Sequence, residues 1–544
     1  MRPLLSFRDV TKTYTNVPVL RNVRFDIFEG DRIGLVGANG TGKTTLCKLV
    51  MGWERPDTGE VEGKPGIRIG YLSQYQKGDE DVTVGAELAE SQTLVETRRR
   101  VEEINRQLED PQFYSDPSYN QVMADYGELQ KELAKFDGAG FSDRALDVLE
   151  ALGCRRLEPE MKLRDLSGGE RQKVALARII VSTENLDMII LDEPTNHLDI
   201  DSIEWMEEYL HGFRGTVMTV SHDRYLLDDT CSRIFEIENL RLRGYVGDYT
   251  DFEEQKELIS AMNRKNREKR VAEIMRQRSF IEKMKGRNRF DAQIKSKLTR
   301  LAKIKTPPDP VIMKKAITFR FQEESGGARS AIYAEGLKKA HGDSTIFSNV
   351  SFTIEYGDRI GLVGPNGAGK TTLMRLITGE DTDFEGTMER SGVLKTAYFD
   401  QGHLSLGLGN NLIEEMQSVI DNLHEHDAKA LLGRFNFRGD IVYNKVDQMS
   451  GGERARVSIL KMVVSPCNML LMDEPTNHLD IQSQKSLEGA LNAYKGTLVL
   501  ATHDRYFLDA VATKIFVMRG GKLRVFPGGY TRYRSQIMEE TGVG

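Results

Sequence analysis

The stretch Gly37-Ala-Asn-Gly-Thr-Gly-Lys-Thr44 decides the reading of this chain. Gly364-Pro-Asn-Gly-Ala-Gly-Lys-Thr371 repeats it further along. Each copy fits GxxxxGK[ST], follows a strand-like run and opens a helical one, which is the context the motif needs. Glycine backbone can wrap a phosphate with its N–H groups pointing inward, and the start of the next helix adds partial positive charge. Lys43 and Lys370 then reach the outer phosphates, and Thr44 and Thr371 hold Mg²⁺. A glycine-rich turn without a ligand accounts for one copy; two in matching context point to a nucleoside triphosphate.

The repetition extends outward from these loops. LSGGERQKVAL near 166 recurs as MSGGERARVSI near 449, and DEPTNHLDI starts at both Asp192 and Asp473. SHDRYLLD recurs as THDRYFLD, and GDYTDF at 247–252 as GGYTRY at 528–533. Gly37 to Gly364 spans 327 positions, as does Gln74 to Gln401, whereas Ser167 to Ser450 spans 283. The first copy therefore carries 44 extra residues between Gln74 and Ser167. Apolar runs such as Ile33 to Val36, Met188 to Leu191 and Thr216 to Val220 alternate with helical stretches, which predicts an α/β fold with a mainly parallel sheet in each copy. The early segments, 2–28 and 331–355, read as antiparallel.

An apolar run leads into Asp192-Glu193 and again into Asp473-Glu474. A carboxylate at a strand end can hold Mg²⁺, and the adjacent Glu can polarise an attacking water. An acidic pair that merely caps the next loop accounts for one such site, but hardly for both after a glycine loop at similar spacing.

At 544 residues the chain is too long for one core, and its net charge of −7 argues against a nucleic-acid binder coated in positive charge. No apolar run approaches the roughly 18 residues of a membrane helix, and MRPLLSFRDV shows no secretory h-region. Cys47, Cys154, Cys231 and Cys467 lie far apart and form no CxxC pair. They read as buried thiols in a reducing, cytoplasmic setting.

Together the P-loops, LSGGE, DEPTNHLD and SHD/THD resemble the ATP-binding cassette (ABC) ATPases over nearly all the chain except 86–137 and about 253–325. The resemblance implies two P-loop cassettes in tandem, each with a helical subdomain, using ATP and Mg²⁺ and hydrolysing ATP. In that family the LSGGE of one cassette closes over the ATP of the other. Carried over, the first site joins Gly37, Asn39, Gly40, Gly42, Lys43, Thr44, Thr45, Gln74, Asp192, Glu193 and His222 to Ser450, Gly451 and Gly452. The second joins Gly364, Asn366, Gly367, Gly369, Lys370, Thr371, Thr372, Gln401, Asp473, Glu474 and His503 to Ser167, Gly168 and Gly169. Glu193 and Glu474 become the catalytic carboxylates. His222 and His503 contact the γ-phosphate. Gln74 and Gln401 sit near Mg²⁺ and the attacking water. The metal set is thus Thr44, Gln74 and Asp192, mirrored by Thr371, Gln401 and Asp473.

The sequence departs from the pattern twice. Met449 replaces the signature Leu, a volume-conserving change. Tyr14 stands where the family stacks an aromatic on adenine, but its counterpart is His341, so base recognition at the second site is expected to be weaker. Both catalytic glutamates are present, so both sites are expected to hydrolyse ATP.

Two cassettes in one chain without spans, with doubled DEPTNHLD and HDRYxLD, resemble the ABC-F family of translation factors. That implies binding to the ribosome near its tRNA exit site, with the linker between cassettes touching tRNA and rRNA. The linker residues themselves support nucleic-acid contact. Lys256 to Lys305 holds 17 basic and 5 acidic residues, a net of +12, so the remainder carries −19. Ile274 and Ile281, then Phe290, Ile294, Leu298 and Leu301, are spaced as two helices, about 251–285 and 290–305, turning near Gly286-Arg287-Asn288. Lys283, Lys285, Arg287, Arg289, Lys295 and Lys297 are the candidate RNA contacts. A solvated charged helix would mix both signs.

The insertion at about 86–137 reads as a second helical hairpin, broken at Asp110-Pro111 to Pro117. It has a net charge of −6, which suits a basic protein surface such as a ribosomal protein better than RNA. The expected division is 1–252 for the first cassette with its arm, 253–325 for the linker and 326–544 for the second cassette. The expected protein is a cytoplasmic monomer that pairs its own cassettes, closes with ATP and is released from the ribosome by hydrolysis. Ribosome-protecting antibiotic resistance is a rival use of the same scaffold. A transporter motor would need a membrane partner, and a DNA-repair ATPase would carry CxxC pairs or a far longer coiled coil.

Overall fold

Parallel strands covered on both faces read as continuous apolar runs, and the strands Met188–Asp192 and Met469–Asp473 are buried at every position. They organise the two halves of the computed structural model. It describes all residues except 1, 16, 74–80, 89–100, 102–103, 105–107, 109–118, 135–141, 183–185, 285–320, 322–329, 343, 401–405, 408, 421, 436, 438, 478 and 542–544.

In the first half, β1 (Leu5–Tyr14), β2 (Val17–Ile27) and β4 (Thr58–Gly63) form an antiparallel sheet in the order β2-β1-β4. The main sheet contains β3 (Arg32–Val36), β5 (Ile69–Leu72), β6 (Met188–Asp192), β7 (Thr216–Val220), β8 (Arg233–Glu238) and β9 (Arg241–Val246). Its order is β5-β6-β7-β3-β8-β9, parallel except for the β8–β9 hairpin.

The second half repeats this plan. Strands β10 (Ser330–His341), β11 (Ser344–Glu355) and β13 (Glu385–Arg390) form an antiparallel sheet in the order β11-β10-β13. The main sheet contains β12 (Arg359–Val363), β14 (Thr396–Phe399), β15 (Met469–Asp473), β16 (Thr497–Ala501), β17 (Lys514–Arg519) and β18 (Lys522–Pro527). Its order is β14-β15-β16-β12-β17-β18. The predicted parallel sheets and antiparallel leading segments are both present, and all four cysteines are buried free thiols.

The cores interlock across the boundary. Ile200, from the first half, joins the cluster built by Phe399, Leu470 and Leu487 of the second. Ile481, its counterpart, packs on the cluster of Leu227, Ile234 and Tyr245 in the first. The same cluster holds Tyr249 and Phe252, which root a 36-residue helix, Tyr249–Met284. At 1.5 Å per residue that helix is about 54 Å long. It matches the first linker helix expected from sequence and leaves Leu258, Met262 and Met275 exposed.

The expected turn at 286–288, the helix 290–305, and Lys285, Arg287, Arg289, Lys295 and Lys297 lie outside the described residues, as does the side chain of Lys283. In the arm, Tyr119–Ala134 is helical, while the expected break at 110–117 lies outside the described residues. The short helix Val84–Leu88 belongs to the cassette core, since Val84 and Leu88 pack with Leu72 and Leu176. Among the described residues no helix is long and apolar enough to cross a membrane.

Candidate functional site

In a parallel sheet, ligand sites form beyond the carboxyl ends of the strands. Here β3 ends at Val36 before the glycine loop, β6 ends at Asp192, and β7 ends at Val220, just ahead of His222. Gly42 precedes the helix Lys43–Val50 with φ +102°, and a Cβ there would lie 2.6 Å from Val19 Cγ1. Gly369 plays the same part at φ +96° before the helix Lys370–Thr378. Glycine is required at both places by conformation and by space.

The lysines lie over their loops. Lys43 Nζ donates to Gly37 O at 2.7 Å, and Lys370 Nζ donates to Gly364 O at 2.7 Å. Burial lowers the pKa of each, so each gains from an anionic ligand. Thr44 Oγ1 donates to Asp192 Oδ2 at 3.3 Å, and Thr371 Oγ1 to Asp473 Oδ2 at 2.5 Å. Burial raises both aspartates.

The adjacent glutamates are held in a sparsely populated backbone conformation, with φ +53° at Glu193 and +52° at Glu474. Their N–H groups are fixed to the next strand, on Val220 O and Ala501 O, both at 2.8 Å. Such strain concentrates at functional sites. Burial pushes both carboxyls up to about 8. His222 donates its backbone N–H to Glu193 Oε2 at 3.3 Å, and its Nε2 lies 3.3 Å from Asn39 Oδ1. His503 N–H donates to Glu474 Oε2 at 3.4 Å. Burial pushes both imidazoles down to about 3, so they are neutral. Among the described residues, Oε1 of each glutamate and Nδ1 of each histidine are buried without a hydrogen-bond partner. Buried orphans of this kind mark positions where a ligand belongs.

The halves share these sites. A cavity of about 550 Å³ is lined by Tyr14, Asn39, Gly40, Gly42, Lys43, Thr44, Thr45, Asp192, Glu193 and His222 of the first half and by Ser450, Gly451 and Gly452 of the second. Glu474 and His503 reach the same cavity. Ser450 caps the helix Gly451–Val464, and Glu453 completes the capping box. Ser167 makes the matching contacts with Glu170. Near the second loop, a Cβ on Gly169 would touch His197 at 3.1 Å. His197 O in turn accepts from Asn366 Nδ2 at 2.9 Å. Ser450, Gly451 and Gly452 thus stand by the first glycine loop, and His197 links Gly169 to the second.

Some expected members are not described, and some members were not foreseen. Gln74 and Gln401 lie outside the described residues. Gly367 lies within the second loop at φ +79°, and Thr372 lies in the helix Lys370–Thr378. His341 is the exposed last residue of β10, the position that Tyr14 holds on β1. Tyr71 OH donates to Asp192 Oδ2 at 3.2 Å, whereas Tyr398 OH, its counterpart, has no hydrogen-bond partner among the described residues. Asp199 and the arginines Arg224 and Arg505 join the halves. All three stand inside the repeated motifs, where the sequence alone gave them no role.

A family profile described as "ABC transporter" matches residues 20–196 and 347–477, and a second of the same description matches 235–321. The Escherichia coli (strain K12) energy-dependent translational throttle protein EttA is 34% identical over 527 residues, covering 95% of this chain and 92% of the relative. Arabidopsis thaliana ABC transporter F family member 2 is 32% identical, covering 98% and 79%. An archaeal ribosome recycling factor, aABCE1, solved in complex with the stalk protein aP1, shares the fold with a TM-score of 0.59 at 19% identity, covering 98% of this chain and 92% of that one. This chain belongs to the ABC-F family of twin-cassette, ATP-hydrolysing ABC proteins.

Proposed function

We propose that this protein is a cytoplasmic, ribosome-associated ATPase that regulates translation, closing its cassettes on ATP and opening them by hydrolysis. The observation that carries the reading is the shared cavity, in which Lys43 and Glu193 of one cassette face Ser450, Gly451 and Gly452 of the other. ATP bound there contacts both halves, so its differential affinity for closed over open sets the population of each. Likeness to a relative named as a translational throttle, and the +12 linker segment, support the ribosome as partner.

The site residues take these roles. Lys43 and Lys370 neutralise the outer phosphates, and the loop amides cradle them. The oxygen donors of Thr44 with Asp192, and of Thr371 with Asp473, fit Mg²⁺, a hard cation that takes one or two protein oxygens beside phosphates. Gln74 and Gln401 complete that set. Mg²⁺ when bound offsets charge on the transferring phosphate. Glu193 and Glu474 accept the proton of a water whose oxygen bonds the γ-phosphorus. The bond to the bridging oxygen breaks, and ADP leaves with that electron pair. Neutral His222 and His503 orient the γ-phosphate, and the facing serines hold it from the other side. Tyr14 stacks on the adenine.

Residues 253–325 form the linker between cassettes 1–252 and 326–544. The linker touches rRNA and tRNA through Lys283, Lys285, Arg287, Arg289, Lys295 and Lys297, and the acidic arm touches a ribosomal protein. The test is cosedimentation with ribosomes. Glu193→Gln with Glu474→Gln should retain ATP and pellet with ribosomes in ATP but not in ADP. A double variant that stays in the supernatant in ATP overturns the reading.

A further inference from the structure

The cassette interface repeats itself across an approximate twofold relation, because residues 281 positions apart are counterparts. Arg224 pairs with Glu488, and their counterparts Arg505 and Glu207 pair with each other. These pairs have the same sign on both sides. If two first cassettes met in the same geometry, Arg224 would still find Glu207. These contacts hold cassettes together without specifying which cassettes.

A second set of counterparts has its charges exchanged. Lys485 of the second cassette pairs with Glu253, at the root of the linker helix. The counterpart of Lys485 is Glu204, and the counterpart of Glu253 is Arg534. Glu204 and Arg534 pair at 3.2 Å. Two first cassettes in this geometry would set Glu204 against Glu253, and two second cassettes would set Lys485 against Arg534. Asp201, which pairs with Arg519, adds to the pattern, because the counterpart of Arg519 is Glu238.

We propose that the crossed pairs Glu204–Arg534 and Lys485–Glu253 are a partner code: they direct each cassette to the other cassette and away from its equal on a second copy of the chain. Unlike charges that fit the right partner and repel the wrong one are a general route to pairing specificity. The residues are half-exposed, so each pair contributes roughly two- to fivefold. Each wrong pairing faces two repulsive contacts at once.

The proposal rests on the reading that ATP draws the cassettes together, and the experiment separates the two. Full-length chains carrying Glu193→Gln and Glu474→Gln, to hold ATP, are compared with and without Glu204→Lys and Arg534→Glu. Closure is followed by a fluorescent pair with one dye on each cassette, and mass by light scattering over a range of protein concentration. Glu204→Lys alone should raise the ATP needed for half-closure about threefold at low salt. Adding Arg534→Glu should restore closure, because the pair reforms reversed. In that double reversal the new ammonium at position 204 suits Glu253, and the new carboxylate at position 534 suits Lys485, so like cassettes attract. The double reversal should close normally when dilute yet dimerise as concentration rises, where the parent stays monomeric.

A parent that does not close with ATP overturns the functional reading. A parent that closes, with a double reversal as monomeric as the parent or a Glu204→Lys chain that closes at the parent's ATP level, overturns the code.

Discussion

Asn366 donates its backbone N–H to Asp199 Oδ2 at 3.0 Å, which ties the second glycine loop to the first cassette. The other carboxylate oxygen of Asp199 caps the helix Ile200–Gly212 through Ser202 N–H at 3.1 Å. One side chain thus starts a helix in its own cassette and holds the phosphate loop of the neighbour. Its counterpart Asp480 caps the helix Ile481–Ala493 through Ser483 N–H at 2.9 Å.

Asp199→Ala and Asp480→Ala should therefore each cost about 1 kcal/mol of stability as a lost cap. Asp199→Ala should in addition raise the ATP needed for closure by roughly tenfold, since a hydrogen bond to a charged acceptor contributes about 1.5–3 kcal/mol. Thermal unfolding and an ATP titration of closure separate the two effects. Equal ATP dependence in both variants would show that the Asn366 contact does not couple the cassettes.

How far all this was legible follows from what kind of signal each residue gives. The glycine loops and the Asp-Glu pairs declare themselves because their chemistry needs fixed spacing within one segment. The pairing of Ser450 with the Lys43 loop came from resemblance, since no local pattern reports a contact made across more than 400 residues. Asp199, Arg224 and Arg505 lie within the repeated motifs, but residues with capping and interface roles look like ordinary polar residues until the partner is known. Tyr71 gave no signal at all, being one aromatic on a strand that happens to end beside Asp192. The charge exchange between Glu204 and Lys485 was visible in the repeat offset. It meant nothing until the structure set Arg534 and Glu253 opposite them.

The buried glutamates predict a pH dependence without nucleotide. Burial raises Glu193 and Glu474 to about 8, above their ordinary 4.5, so the folded state favours their protonated forms. That stabilising contribution is complete below about 4.5 and is lost as pH rises towards 8. Glu193→Gln with Glu474→Gln removes the titration but keeps the shape. The Tm of the double variant should therefore gain on the parent progressively from pH 6 to pH 8. A gap that stays constant over that range would mean both carboxyls ionise at no cost.

The linker helix depends on its root. Phe252 is buried and packs edge-on to Tyr245, with ring centroids 4.8 Å apart. Phe252→Ala should cost about 3–5 kcal/mol and loosen the helix that carries the basic residues. Met262→Ala, on the exposed part of the same helix, should cost little. Urea unfolding measures the first effect, and ribosome cosedimentation at two salt concentrations reads the second.

Arg505 offers the sharpest test of what holds the cassettes shut. It is fully buried, donates to both carboxylate oxygens of Glu207 and lies over the Tyr225 ring, 4.0 Å from its centroid. Removing one partner of a buried pair strands the other charge, which typically costs about 3–5 kcal/mol. Arg505→Met should therefore weaken closure by a hundredfold or more, on the order of 3 kcal/mol. Adding Glu207→Leu should recover most of the loss, because an apolar pair of similar volume has no charge left to desolvate. Arg519→Met breaks an exposed pair with Asp201 and should shift closure by less than about 1 kcal/mol. ATP titrations of closure on the four proteins decide the matter. If the Arg505→Met/Glu207→Leu chain closes as poorly as Arg505→Met alone, the arginine acts through its stacking on Tyr225, and the carboxylate of Glu207 is incidental.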